Sequence, residues 1–240
     1  MTDIRRFETL DSTNEEASRL ASNGERGPLW IVAQSQSAGR GRRGRDWISP
    51  PGNLFASYLT EIDVAPAICA QLSFVAALAL GDLVASYAPG ANTTLKWPND
   101  ILLNSRKVAG ILIEVVADGT ASRVIVGCGV NLAHYPEGTE YPAISIAEFA
   151  EEAPNPQDAL GRLVVSWDAW YEIWRNRGFE AIRSAWLTRA DGLGKKLTVR
   201  LEDSEIEGVF ESLADDGTLL LRVEGDGLER VTAGDVFPLS

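Results

Sequence analysis

The sequence predicts an α+β protein in which a mixed β-sheet packs with helices, followed by a small C-terminal SH3-like β-barrel. Apolar segments of strand length and of helix length alternate through residues 1–190. Past residues 190–194 the pattern changes to short alternating strands separated by Asp-Gly turns. A hydrophobic content of 45% is enough for a packed core. We therefore expect one domain over residues 1–190 and a barrel domain over residues 191–240.

The first predicted elements are a helix and two strands. The segment at residues 11–16 resembles a helix start, because Ser or Thr is a favourable N-cap and two glutamates fill the first turn. This helix should end near Gly24. Residues 29–34 are apolar as far as Ala33, and residues 53–61 follow a Pro-Pro-Gly turn, so both are predicted strands.

The middle of the chain contains its most apolar stretch, residues 65–87. Gln71, Gly81 and Asp82 interrupt this stretch, whereas a membrane span needs about 20 predominantly apolar residues. A buried helix over residues 67–87 is therefore the better interpretation. The remaining predicted elements here are strands at 94–97, 101–104, 108–116 and 123–132, with a hairpin turn at 105–106, and core helices at 156–175 and 179–189.

The predicted barrel consists of four short strands. Turns at residues 215–217 and 225–227 separate some of them, and a barrel of this size should need to dock on the main domain for stability. The strands are expected at 196–201, 206–212, 218–223 and 228–232.

Composition excludes several classes of protein. A net charge of -12 and a pI of about 4.6 argue against a nucleic-acid surface but permit a local nucleotide site. No apolar signal segment precedes the first helix, and Cys69 and Cys128 are isolated in apolar segments. We expect reduced core thiols and a cytoplasmic protein. His134 is the single histidine, which argues against a typical zinc site or a Ser-His-Asp triad and favours a surface or loop position.

The most distinctive segment is Gly-Arg-Gly-Arg-Arg-Gly-Arg at residues 39–45. Four arginines lie within six residues of an acidic protein, and their repulsion favours an anion that holds them together. The glycines permit positive φ and close approach of the backbone to a ligand. We therefore expect a mobile loop that closes on a phosphate-bearing ligand.

The same segment also matches the Gly-x-Gly-x-x-Gly dinucleotide fingerprint. That fingerprint must open a helix, whereas Trp47 leads into a Pro-Pro-Gly stretch that cannot be helical. A dinucleotide oxidoreductase is therefore excluded. An arginine-glycine RNA-binding tail is the other alternative, but such tails lie in low-complexity sequence and this segment lies between apolar runs.

Three further clusters carry polar groups at strand ends. Asn99 and Asp100, in Lys-Trp-Pro-Asn-Asp, would suit Mg²⁺ if phosphates completed its shell, or they form an ordinary turn. Lys107 leads an apolar strand shortly before Gly110, where it would suit a carboxylate or phosphate, or it lies in solvent at the strand edge. Asn131 follows two glycines and either hydrogen-bonds a sugar or base or starts a turn.

In this order, the arginine-glycine loop, Lys-Trp-Pro-Asn-Asp, the segment at 106–114 and Gly-x-Gly-x-Asn at 127–131 resemble the biotin protein ligases. The resemblance runs from Asp11 to the last residue. It implies a biotinyl/lipoyl ligase-like catalytic domain that joins biotin to ATP as biotinyl-5′-AMP. The enzyme then transfers biotin to a lysine of a biotin carboxyl carrier domain, of acetyl-CoA carboxylase or a related carboxylase, without a covalent enzyme intermediate. We expect the monofunctional type, which lacks a DNA-binding winged helix.

The resemblance also implies roles for individual residues. Lys107 and Arg42 are the expected catalytic residues, because their charges would neutralise two approaching anions. Trp47 would pack on adenine, and Asp100 would hold Mg²⁺. The expected biotin contacts are Ser12, Thr13, Asn14, Gln36, Gly39, Arg40, Gly41, Arg42, Lys107 and Gly110. The expected adenylate contacts are Arg40, Arg42, Trp47, Asn99, Asp100 and Asn131.

Alternatives remain at this stage. A lipoate or octanoate ligase shares the superfamily, but such proteins lack both the arginine-glycine loop and Lys-Trp-Pro-Asn-Asp. A nucleic-acid-binding regulator is opposed by the acidic charge. We expect no DNA and no membrane partner. Family members often pair as homodimers, so monomer and dimer stay open, and the barrel could either dock the carrier or clasp ATP.

Overall fold

The computed structural model describes residues 2–118, 121–225 and 227–239. The strands of its larger sheet are β1 (Asp3–Leu10), β2 (Leu29–Gln36), β3 (Leu54–Ile62), β4 (Thr93–Lys96), β5 (Asp100–Leu103), β6 (Arg106–Asp118) and β7 (Ala121–Val130). Their order across the sheet is β1-β2-β3-β7-β6-β5-β4. β1 and β2 run parallel and the other neighbours run antiparallel, which confirms the mixed sheet.

β1 is an element that the sequence pattern did not predict. It lies at the edge of the sheet, with Asp3 opposite Leu29 of β2. None of its eight residues is fully buried. An edge strand with two partly exposed faces does not need alternating apolar residues, so period-two patterning gives little signal there.

The helices cover both faces of this sheet. They are α1 (Thr13–Ser22), α2 (Pro66–Cys69), α3 (Leu72–Tyr87) and α4 (Pro156–Leu187). Leu59 and Ile125 pack with α1, whereas their neighbours Tyr58 and Val124 pack in the large core with α3 and α4. Because successive strand residues point to opposite faces, α1 covers one face and the other two helices cover the reverse.

The apolar stretch predicted as one helix is split by a turn into α2 and α3. The length and composition of Pro66–Tyr87 would allow a membrane span, because its most apolar 18 residues have a mean hydropathy of 1.9. In the fold, however, 67% of those 18 residues is buried inside the protein. Gln71 accepts a 2.9 Å hydrogen bond from Trp174, and Asp82 accepts one of 2.7 Å from Trp170. The polar residues of this stretch therefore face α4, as expected of a core helix.

α4 spans both predicted C-terminal helices. Gly178 interrupts it with a φ of 72°, and this interruption falls between the two helices that the hydrophobic pattern predicts. The tryptophans that sit at helical spacing are core residues, as predicted, since Trp167 and Trp186 are almost fully buried.

The C-terminal region forms a five-stranded antiparallel sheet in the part that the structure describes. Its strands are β8 (Lys196–Arg200), β9 (Glu205–Leu213), β10 (Leu219–Val223), β11 (Gly227–Val231) and β12 (Asp235–Pro238), in the order β11-β10-β9-β8-β12. The sequence pattern missed β12, which is only four residues long and ends in proline. The predicted turn at 225–227 includes Asp226, which lies outside the described residues.

This second sheet docks on the main domain through apolar contacts, as expected for its size. The ring centroids of Trp186 and Phe210 lie 6.4 Å apart. Trp97 donates a 3.1 Å hydrogen bond to the carbonyl of Gly217, in the turn before β10. The two sheets therefore share one continuous core.

Candidate active site

A cavity of about 470 Å³ opens beside the N-terminal end of α1. Strands β6 and β7 form its floor, and the arginine-glycine loop and β12 contribute to its walls. The predicted site residues that line it are Ser12, Thr13, Asn14, Gln36, Arg40, Gly41, Arg42, Trp47, Asn99, Asp100, Lys107, Gly110 and Asn131. The fold thus brings together residues that are far apart in the sequence.

Gly39 is the predicted site residue that is not among those lining the cavity. It lies at the base of a small hairpin, where its carbonyl accepts a 2.9 Å hydrogen bond from the Trp47 amide. A Cβ at this position would collide with the Trp47 carbonyl and lie 2.6 Å from Ser49 Oγ. The glycine is therefore required for closing the hairpin.

One end of the cavity, called here the neutral end, is a hydrogen-bonded network of hydroxyl and amide groups in which the charge of Glu114 is paired with Arg40. The Gln36 Oε1 atom accepts a 2.8 Å bond from the Thr13 amide. Ser57, which is fully buried, donates a 2.6 Å bond to Asn14 Oδ1, and Asn14 Nδ2 donates a 2.7 Å bond to Glu114. These bonds hold hydroxyl and amide groups in defined orientations. Such an arrangement suits an uncharged ligand group that carries both donors and acceptors.

Gly127 lets Asn14 reach the sheet. It pairs with Ser57 of β3 and with Leu112 of β6, and a Cβ there would collide with Oδ1 of Asn14. The first position of the Gly-x-Gly-x-Asn motif must therefore be glycine, because a side chain from α1 approaches its backbone closely.

The second glycine of that motif forms a flat floor under Trp47. Gly129 of β7 pairs directly with Gly110 of β6. A Cβ would lie 2.5 Å from the Trp47 ring at Gly129 and 3.0 Å from it at Gly110. Lys107 Nζ lies 5.4 Å from the same ring. Among the residues that the structure describes, Trp47 Nε1 is a buried donor without a hydrogen-bond partner.

The opposite end of the cavity is cationic around one buried carboxylate. Asp100 Oδ1 lies 2.6 Å from Lys107 Nζ, and its Oδ2 lies 3.6 Å from Lys96 Nζ. Burial alone would raise the pKa of Asp100, but the two ammonium groups outweigh it and hold that pKa below its usual value. Burial also lowers the pKa of Lys96, and the charge of Asp100 opposes this shift.

Arg42 adds a third cation to this end. Its guanidinium donates a 3.1 Å hydrogen bond to Asn99, whose own amide donates a 2.7 Å bond to the Ile111 carbonyl. Burial lowers the pKa of Arg42, and the carboxylates of Asp235 and Asp100 oppose that shift. Lys96, Lys107 and Arg42 together exceed the two carboxylates of Asp100 and Asp235 by one positive charge, which favours an anionic ligand.

Asn131 joins the floor to the segment that follows it. Its side chain donates a 3.1 Å hydrogen bond to the Ile144 carbonyl, and it is almost fully buried. Lys107 bridges the same segment, since its amide donates to the Pro142 carbonyl and its carbonyl accepts from the Ile144 amide. Asn131 therefore positions this wall, and its predicted contact with a nucleotide stays a prediction.

The arginine-glycine loop is folded into a compact hairpin. The backbones of Arg40 and Asp46 form an antiparallel β-bridge across it, and the Gly41 amide donates a 2.7 Å hydrogen bond to the Arg45 carbonyl. Its arginines diverge: Arg40 forms ion pairs with Glu15 and Glu114 near the neutral end of the cavity. The mobility expected for this loop stays a prediction.

Several residues at the site were missed by sequence reasoning. Lys96 belongs to a motif that was recognised, and its buried ammonium lies 4.0 Å from the Tyr141 ring centroid. Ser57 sits within a strand of ordinary apolar pattern, so nothing in the sequence marks it. The others are Glu114, Tyr141, Asp235 and Phe237. The last two could not have been found, because β12 itself was not predicted.

The site offers limited ligands for a metal ion. Within the described ranges there is no group of three or more His, Cys, Asp and Glu side chains that could hold one. Asp100 supplies one carboxylate beside the Asn99 amide, which fits an ion held mainly by phosphate oxygens and water.

Solved structures with this architecture include biotin protein ligases. The ligase from Aquifex aeolicus in complex with biotin and ATP has a TM-score of 0.82 and 24% identity, covering 98% of this chain and 97% of its own. The ligase from Leishmania major in complex with biotinyl-5-AMP has a TM-score of 0.67 and 27% identity, and the match covers 96% of this chain and 99% of that ligase. The fold and the cavity therefore place this chain in the class of biotin protein ligase-like proteins.

Sequence comparison makes the assignment more specific. The family model described as the biotin/lipoate A/B protein ligase family matches residues 7–131, and the biotin protein ligase C terminal domain matches residues 192–237. The chain therefore belongs to the biotin/lipoate A/B protein ligase family. It is 41% identical to a biotin–[acetyl-CoA-carboxylase] ligase from Paracoccus denitrificans, over 95% of this chain and 97% of that protein. The bifunctional ligase/repressor BirA from Bacillus subtilis is 31% identical, over 95% of this chain and 72% of that protein.

Proposed function

We propose that this chain is an ATP-dependent biotin protein ligase. It activates biotin to biotinyl-5′-AMP and then transfers the biotinyl group to one lysine of a biotin carboxyl carrier domain. The observation that carries this proposal is a single cavity with a neutral hydrogen-bonding end and a cationic end. The 41% identity to the Paracoccus ligase, along almost the whole chain, supports it.

The layout of the floor matches an elongated substrate. Gly127 lies opposite Leu112, Gly129 lies opposite Gly110, and Lys107 lies further along β6. At about 3.3 Å per residue, the neutral and cationic ends are roughly 15 Å apart. Biotin has a neutral bicyclic urea at one end and a carboxylate at the other, so its two ends meet complementary groups.

In the first step a carboxylate oxygen of biotin attacks the α-phosphorus of ATP, and pyrophosphate leaves. Two anions must approach each other, and Lys107 and Arg42 at the cationic end offset their repulsion. Lys107 can turn from Asp100 toward the ligand without leaving that carboxylate unpaired, because Lys96 also contacts it. Mg²⁺ bound by Asp100 and the phosphates would neutralise further charge on ATP.

In the second step the amine of the carrier lysine attacks the carbonyl carbon of biotinyl-5′-AMP, and AMP leaves. An acyl adenylate is labile to water, so the site must exclude solvent between the steps. The hairpin at 39–47 and the segment at 142–146 flank the cavity and are the parts of the chain suited to this task.

The proposal includes the cellular setting. We place the enzyme in the cytoplasm, acting on a carboxylase carrier domain, without DNA or a membrane as partner. The net charge of -12 disfavours a nucleic-acid surface, and the apolar stretch Pro66–Tyr87 packs largely inside the fold. A homodimer is an expectation from the family resemblance, which sedimentation of the purified chain would test.

The central test is incubation with biotin, MgATP and a biotin carboxyl carrier domain, followed by intact mass measurement of the carrier. We expect a gain of one biotinyl group. A carrier that gains no mass would contradict the proposal. Biotin-dependent ATP–pyrophosphate exchange, compared with lipoate-dependent exchange, separates a biotin ligase from a lipoate ligase.

Lys107→Ala tests the role of the cationic end. We expect adenylate formation to fall by about 10²–10³, the loss typical of one donor that stabilises developing charge. The matched control is Lys195→Ala, since Lys195 is an exposed lysine that does not line the cavity. Both variants should remain folded, with a lower melting temperature in Lys107→Ala because Asp100 then keeps only Lys96 as its ammonium partner. Full exchange activity in Lys107→Ala would contradict its assigned role.

A further inference from the structure

One carboxylate of the second sheet contacts three arginines of the loop. Asp235 begins β12, about 190 residues away from the loop in the sequence. Its oxygens lie 2.9 and 3.1 Å from Arg45 Nη2, 3.6 Å from Arg43 Nη1 and 3.8 Å from Arg42 Nη1. The Asp235 side chain is only 19% exposed, so water screens these contacts less than it would on an open surface.

The three contacts are not equivalent. Arg45 engages both carboxylate oxygens, whereas Arg42 is at the longest distance and hydrogen-bonds Asn99 and the Gly234 carbonyl instead. Arg42 and Arg45 line the cavity, and Arg43 is not among the lining residues. Asp235 thus engages Arg45 most closely and leaves the Arg42 guanidinium hydrogen-bonded to Asn99 at the wall of the cavity.

The hairpin tip needs such a partner. Arg43 has φ of 54° and ψ of 33°, a left-handed conformation that side-chain-bearing residues rarely adopt. Three arginines also stand within four residues at 42–45, where like charges repel. An ion pair that engages all three offsets both the backbone strain and the repulsion.

We propose that Asp235 is a positioning residue for adenylate formation. It holds the hairpin tip through Arg43 and Arg45 so that Arg42 is presented to the phosphates of ATP. This inference rests on the proposed function, and it gives the second sheet a definite part in the first step. Asp235 acts through the arginines and does not itself bind the substrate.

The first test measures the loop without any substrate. Trypsin cleaves after arginine, so its rate of cleavage within residues 40–45 reports how firmly the hairpin tip is held. We expect Asp235→Asn to raise this rate severalfold over wild type. Asp215→Asn is the matched control, because Asp215 lies in the same region and pairs with Arg183, away from the cavity. An unchanged rate in Asp235→Asn would overturn the proposal.

The second test separates positioning from general stability. In biotin-dependent pyrophosphate exchange we expect Asp235→Asn to raise the KM for ATP by about tenfold, since exposed and half-buried ion pairs each contribute modestly. Biotin binding without ATP should stay within about twofold of wild type, because the neutral end does not involve Asp235. Asp235→Glu keeps the charge and should restore most of the ATP affinity.

Two results would contradict the inference. A lower KM for ATP in Asp235→Asn would mean that Asp235 competes with the phosphates for the arginines. An equal loss of biotin binding and ATP binding would mean that the residue only supports the fold. The tests also separate this inference from the proposed function, because the trypsin measurement needs no ligase activity, whereas the mass gain of the carrier in the wild type does not depend on Asp235 variants.

Discussion

Replacing Gly129 with alanine tests the glycine floor beneath Trp47. A Cβ at this position would lie 2.5 Å from Cε2 and 2.6 Å from Nε1 of the indole. Carbon atoms in contact normally stand about 3.5–4.0 Å apart, so the ring must move by about 1 Å. Gly110→Ala is a milder form of the same change, since its Cβ would lie 3.0 Å from the ring and require a shift of about 0.5 Å.

The expected effect on catalysis follows from these displacements. Because a misplacement of about 1 Å can cost on the order of 10²-fold, we expect Gly129→Ala to lower kcat/KM for adenylate formation by about that factor. Gly110→Ala should lose severalfold. The control is Gly90→Ala, where a Cβ would meet nothing within 4 Å, and it should match the wild type.

The assay is biotin-dependent ATP–pyrophosphate exchange at varied biotin, with thermal melting in parallel. Trp47 lines an open cavity, so the displaced ring has room and the melting temperature should fall by no more than about 4 °C, equivalent to about 1 kcal/mol. Wild-type kcat/KM in Gly129→Ala would refute the reasoning. The same refutation would follow if Gly110→Ala lost more than Gly129→Ala.

Two further predictions concern buried ionisable groups. Asp100→Asn leaves Lys96 and Lys107 without their carboxylate, and urea unfolding should show a loss of about 3 kcal/mol. Because the folded-state pKa of Asp100 is lowered, this stabilisation is present above the unfolded value of about 3.9 and is lost as the pH falls through the folded value. A difference from wild type that grows toward acid pH would contradict this. Burial raises the pKa of Cys128 to about 12, so iodoacetamide at pH 8 should label this thiol only after denaturation, and mass spectrometry showing rapid native labelling would be inconsistent with its burial.

Much of the site was predictable because its residues are grouped in short motifs. The arginine-glycine loop, Lys-Trp-Pro-Asn-Asp, Lys107 and Asn131 each combine polar residues with a strand end, which is an unusual pattern for a packed core. Their common ligand was implied by the family resemblance that the motifs carry together. The structure gathers these motifs around one cavity, and the sequence comparisons assign the chain to the expected family.

Other features depend on contacts that leave no local trace in the sequence. Ser57 looks like any small residue of an apolar strand, yet its hydroxyl joins Thr13 and Asn14. The edge strand β1 buries too little to show periodicity, and its parallel pairing with β2 depends on the position of α1 between them. Gly127 and Gly129 belong to a motif that is visible in the sequence, but only the fold shows that Asn14 and Trp47 are the side chains that approach them.

The sequence by itself determined the class of fold, the family resemblance and the local chemistry of each motif. Those properties arise from composition, from hydrophobic periodicity and from residues adjacent in the chain. The tertiary structure alone decided which charges meet: Asp100 between Lys96 and Lys107, and Asp235 against the arginine loop. Partners of that kind are chosen by sheet register and by the docking of the second sheet, and these depend on packing across the whole molecule.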